Sequence, residues 1–129
     1  MKLDAKQQVL LAVYIEYQKD IPHMEKISCT DLNMDIDVFH IALEKLQNEG
    51  YIHGFDTFGA DNNRFYHVDT SHMKLTRDGI DYIENHFGIQ KELTNQDKVK
   101  YVIKKCGVFG LQALKMFAVE ALQKIGDII

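Results

Sequence analysis

The sequence is poor in the residue patterns that carry chemistry. It has two cysteines, Cys29 and Cys106, far apart and each among apolar or helical neighbours. That reads as two reduced structural thiols, not as a disulfide or a ligand pair. Its six histidines, His23, His40, His53, His67, His72 and His86, include no pair at the helical i, i+4 spacing, and there is no Cys-x-x-Cys. No preorganised metal site is expected, although His53 and His67 would start one, with Asp69, if they faced each other across a ribbon. A nucleophile beside a general base is also missing. Cys29 with His23 is the one local candidate, and nothing supplies an orienting acid or an oxyanion hole. Gly107 and Gly110 precede a helix without the Lys and hydroxyl partners of a phosphate loop. The expectation is no enzyme, no catalytic residue, no metal and no cofactor.

Long apolar runs are absent too. Val108 to Ile129 is the most apolar stretch, but Lys115, Glu120, Lys124 and Asp127 break it well short of the roughly 20 residues a membrane span needs. The opening Met1-Lys2-Leu3-Asp4-Ala5-Lys6, followed by Gln7, Gln8 and Glu16, is no secretory signal. The expected location is the cytoplasm. There is no internal repeat and no low-complexity tract.

What is present is an ordinary globular composition: 46% hydrophobic and 26% charged residues over 129 positions, enough for one core and an appendage. The net charge of -4 is unevenly spread. Residues 1–90 carry 8 Lys/Arg against 15 Asp/Glu, and residues 91–129 carry 7 against 4. A phosphate-binding body gathers Lys and Arg on its contact face. This body is acidic and only its tail is basic.

Taken in order, Asp4 to Lys19 reads as a helix packed by Val9, Leu10, Val13, Tyr14 and Tyr17 and ended by Ile21-Pro22. Ser28 or Thr30 caps a short second helix reaching Leu32 to Met34, with Asp31 in its first turn. Asp35 caps a third helix to Glu49, whose core seam is Ile36, Phe39, Leu43 and Leu46, and Gly50 stops it. Tyr51 to Phe58 alternates as a strand, Gly59 to Asn63 turns, and Phe65 to Asp69 pairs back. Thr76 caps a helix packed by Leu75, Ile80, Ile83 and Phe87. Thr94 caps another, aligning Val99, Val102, Ile103 and Cys106. Gly107 and Gly110 flank a break before a last helix, about Leu111 to Ile125.

Asn48-Glu49-Gly50-Tyr51-Ile52 after an amphipathic helix, and Leu75-Thr76-Arg77-Asp78-Gly79-Ile80-Asp81-Tyr82-Ile83 after the ribbon, resemble the winged helix-turn-helix superfamily. The nearest likeness is to the YjcQ-like family of small bacterial and prophage proteins, over about Val9 to Phe87. The resemblance implies a mostly α fold with a small antiparallel β ribbon. It would be a winged-helix domain at 1–88 with a C-terminal helical arm at 89–129. It also implies a transcription-regulator type of module that binds DNA through the helix Asp35 to Glu49 and a wing from Phe55 to Phe65.

Counted around that helix, the outward face holds Asp37, Val38, His40, Ile41, Glu44, Lys45 and Asn48, with Arg64 on the wing. The carboxylates depart from a DNA-reading face, since phosphates and most base edges repel them. Val38 and Ile41 at i, i+3 among charges suit a protein partner, the alternative reading. A third reading covers them with the arm. The arm's own stripe, Leu111, Leu114, Ala118, Ala121, Leu122 and Ile125, must be buried, either on the body or in a homodimer through Leu111, Leu114, Ala118, Leu122 and Ile125.

Overall fold

Helix α1, Ala5–Tyr17, is buried on every side, and the rest of the chain is laid around it. Each residue from Val9 to Glu16 is inaccessible, so the expected stripe describes only part of its packing surface. Tyr17, assigned to that stripe, is 44% exposed because it lies past the end of the covered segment. The helix starts in a capping box: the Asp4 carboxylate accepts from the Gln7 N–H at 2.8 Å, and the Gln7 side chain accepts from the Asp4 N–H at 3.1 Å. The computed structural model describes residues 2–58 and 67–126.

Residues 28–34 form one turn and not the expected second helix. Ser28 Oγ accepts from the Asp31 N–H as a cap would, but Asn33 adopts φ 52, and this left-handed residue stops propagation. A short 3-10 helix at Met24–Lys26, with no cap or periodic signal in the sequence, precedes it. Helix α2, Ile36–Asn48, follows the expected plan: Asp35 caps the Asp37 and Val38 amides, and Phe39, Leu43 and Leu46 are buried. Gly50, at φ 82, closes it.

The expected single strand from Tyr51 to Phe58 is two. Strand β1, Ile52–His53, pairs antiparallel with β4, Lys74–Leu75; β2, Asp56–Phe58, pairs antiparallel with β3, His67–Asp69. The interruption falls at Gly54, whose φ is 95 and where a Cβ would sit 2.6 Å from the His72 carbonyl oxygen. Only glycine permits that approach. Thr70, in the opposite interruption, donates its hydroxyl toward the carbonyls of Met24 and Ile27 at 2.8 and 3.0 Å, tying the bent ribbon to the segment after α1. Leu75 therefore belongs to a strand and not to the helix after it. The turn expected at Gly59 to Asn63, Arg64 and Phe65 lie outside the described residues.

Helix α3, Arg77–Phe87, is capped by Thr76, whose hydroxyl accepts from the Gly79 N–H and donates to the Gly50 carbonyl at 2.6 Å. One side chain thus joins the start of α3 to the end of α2. Helix α4, Asn95–Phe109, runs through Gly107 and ends at Gly110, where the left-handed conformation makes the break. Helix α5, Gln112–Gly126, packs on α4 and α1. The stripe offered for a homodimer packs within the chain: Leu114 and Ala118 are buried, as is Ala121 beside them, and Leu111, Leu122 and Ile125 pack against the same core. The architecture is mostly helical with a small antiparallel ribbon, compatible with a winged-helix-like arrangement.

A buried carboxylate joins four segments. Glu84 on α3 accepts from the Tyr14 hydroxyl of α1 at 2.8 Å, from Lys98 of α4 at 2.8 Å, and from Lys91 of the connection between α3 and α4 at 3.2 Å. Burial pushes its pKa up, but the bonds from Lys98, Tyr14 and Lys91 outweigh this and hold it below the ordinary value. Burial and the same carboxylate push the Tyr14 hydroxyl pKa well above the ordinary range.

A carboxylate whose folded-state pKa is depressed contributes stability above its unfolded pKa and loses it as pH falls. The Tm is therefore expected to drop as pH falls through the ordinary Glu value of 4.5. Glu84→Gln should lower Tm at neutral pH and flatten that acid slope, read by circular dichroism melts across pH. At Gly79 an added Cβ would meet the Tyr51 carbonyl oxygen and come 2.7 Å from Leu75 Cδ1. Gly79→Ala is expected to cost about 1–3 kcal/mol, seen as a lower urea midpoint at unchanged slope.

Candidate functional site

The start of α1 lies against α2, and this contact makes a groove beside the outward face of α2. Asp4, Ala5 and Lys6 form one wall, Asp37, Val38, Ile41 and Lys45 the other, and buried Ala42 the floor; its volume is about 490 Å³. Val38 and Ile41 are 45% and 44% exposed, so α4 and α5 do not cover them. Their i, i+3 spacing places both on the same side of α2. Asp37, Glu44, Lys45 and Asn48 surround them and are exposed.

His40 does not belong to this face. It is 7% exposed, and its ring meets Phe55 edge-on at 6.1 Å between centroids. At 3.6 residues per turn it lies roughly 80° from the centre of the Ile36, Phe39, Leu43, Leu46 seam, and the start of the ribbon folds over that flank. The buried arc of α2 is wider than its apolar seam. Arg64 lies outside the described residues.

The rim carries charges of both signs, Asp4 and Asp37 with Lys6 and Lys45. Lys6 pairs with Glu49 at 2.7 Å, and that hydrogen bond raises its pKa. The Asp4 carboxylate is engaged by the Gln7 amide of α1 and Asp35 by the Asp37 and Val38 amides of α2. Spacing on α2 pointed to Asp37, Val38, Ile41, Glu44, Lys45 and Asn48. The Asp4 to Lys6 wall carried no such signal, because it reaches the face only through the packing of α1 on α2.

The other candidate groups do not assemble. His67 registers opposite Phe58 and His53 opposite Lys74, so the two histidines do not face each other across the ribbon. Among the described residues no three His, Cys, Asp or Glu side chains are grouped to hold a metal ion. Cys29 and Cys106 are free, and burial pushes the Cys106 thiol up to about 11, away from thiolate reactivity. No described helix is long and apolar enough to cross a membrane.

The family model described as YjcQ protein matches residues 8–102. The chain belongs to the YjcQ family. No curated protein and no solved structure gives a significant match. The YjcQ match extends past the expected Val9 to Phe87 into α4, so it takes in the Glu84, Lys91 and Lys98 cluster as well as α2. It leaves α5 and the Asp4 to Lys6 wall outside.

Two substitutions separate the exposed face from the buried flank. Ile41→Asp is expected to change stability by less than about 0.5 kcal/mol, and His40→Ala to cost about 1–3 kcal/mol, in urea titrations of the two variants. Equal losses would mean that Ile41 is packed in solution.

Proposed function

We propose that this chain is a non-enzymatic regulatory module of winged-helix type that docks a protein partner on the outward face of α2. Family membership suggests a small bacterial or prophage protein. The observation that carries the reading is the exposed pair Val38 and Ile41 in a groove edged by Asp4, Lys6, Asp37 and Lys45, with Glu44 and Asn48 exposed on the same helix. Removing such apolar surface from water is favourable, and a rim carrying charges of both signs selects a partner with complementary charges around an apolar anchor. The Asp37 and Glu44 carboxylates on the same face oppose phosphates.

DNA binding is the second reading. A helix followed by an antiparallel ribbon is the layout that enters a major groove in winged-helix regulators. Lys45 and Asn48 are exposed on the last turns of α2, and Arg64 belongs to the sequence segment of the wing. Fold analogy supports this reading more than the site does.

Fluorescence anisotropy with random-sequence duplex DNA at low and at physiological salt, beside pull-downs with the wild-type chain and Ile41→Asp, separates the two. The protein reading expects no salt-dependent DNA binding and a partner retained by wild type and lost by Ile41→Asp. DNA binding that weakens steeply with salt, disappears in the Lys45→Ala, Arg64→Ala double variant and survives Ile41→Asp would replace it.

A further inference from the structure

The exposed face of α2 complements itself. Asp37 and Lys45 lie one turn before and one turn after Ile41, at i−4 and i+4, so the three side chains form a single oblique row on the helix. The row has a negative end, an apolar middle and a positive end. All three residues are exposed and line the groove between α1 and α2, with Val38 beside them and buried Ala42 as its floor. Among the described residues neither the Asp37 carboxylate nor the Lys45 ammonium has an ion-pair partner, whereas Lys6 on the facing wall is held by Glu49 at 2.7 Å.

A two-fold rotation reverses such a row. Two copies set antiparallel, with Ile41 against Ile41, bring Asp37 of each beside Lys45 of the other, which is the self-matching contact a symmetric dimer requires. A parallel pairing would set Asp37 against Asp37 and Lys45 against Lys45, so the charges select the antiparallel one. Laying i, i+4 rows along each other is also the commonest packing of two helices, with axes crossing at about −50°. Glu44, roughly 120° around the helix from Val38, lies outside the row.

We propose that the partner of this face is a second copy of the chain, docked antiparallel on α2 with Ile41 at the centre and two Asp37–Lys45 pairs across the interface. The inference rests on the protein-docking reading of α2 and names its occupant. The groove over Ala42, about 490 Å³, has room for the Ile41 side chain of the second copy. One helix row per copy buries less than the roughly 800 Å² per partner of a stable complex, so the dimer is weak, with an expected Kd of about 100 μM.

Sedimentation velocity of the full chain from about 10 μM to about 1 mM, at low and at physiological salt, reads the association. Wild type is expected to pass from monomer to dimer over that range and to shift toward monomer as salt rises. Asp37→Lys and Lys45→Asp, each alone, set like charges together twice and should weaken the dimer at least about tenfold. Mixed in equal amounts, the two variants should dimerise again, because one supplies two cations and the other two anions. Ile41→Asp should abolish the dimer, and circular dichroism checks that each variant folds. The wild-type series needs no variant: a chain that stays monomeric throughout overturns the proposal. So does failure of the two charge variants to rescue each other, or a dimer that survives Ile41→Asp, as one through the exposed Met116 and Val119 of α5 would. If the second copy is overturned while Ile41→Asp still loses a different protein in the pull-down, the protein-docking reading of α2 stands without it.

Discussion

A helix buried on every side must find an internal partner for each polar group it carries, and α1 carries two near its centre of packing, Tyr14 and Glu16. Both solutions shape the molecule. Tyr14 donates to Glu84 at 2.8 Å, and Glu84 in turn gathers Lys91 and Lys98, so a hydroxyl on α1 determines where α3 and α4 begin to pack. Glu16 is answered within its own segment by Lys19 and the His23 amide, which curls the chain back after the helix ends. Hydrophobic burial supplies the drive, but these bonds fix the geometry, since a misplaced partner would leave a charge uncompensated in the core.

The sequence was legible where structure is local. Asp35, the Phe39, Leu43, Leu46 seam and Gly50 define α2 by capping, period and stop, and none of these depends on distant residues. The caps Thr76 and Thr94 are legible for the same reason. It was not legible where packing decides. Leu10, Leu11, Ala12 and Val13 fill all faces of α1, whereas a single amphipathic stripe includes Leu10 and Val13 but not Leu11 and Ala12. Residues 51–58 alternate without a visible fault, and the need for glycine at position 54 comes from the His72 carbonyl, which sequence spacing cannot place. His40 looks polar and outward until Phe55 closes over it.

The same division applies to the site. Val38 and Ile41 stand out from the helical wheel as apolar residues among charges. The groove beside them exists only because the first turn of α1 lies against α2, and the Lys6–Glu49 pair that steadies this contact spans the two ends of a long sequence interval.

The all-round burial of α1 has a consequence for biosynthesis. Its covering helix α5 begins at Gln112, about a hundred residues after α1, and at roughly 5–20 residues per second that interval lasts several seconds or more. Throughout it the side of α1 that packs on α5 has no cover from that helix. An apolar helix side left open in this way lengthens the interval in which the unfinished chain is exposed to wrong contacts.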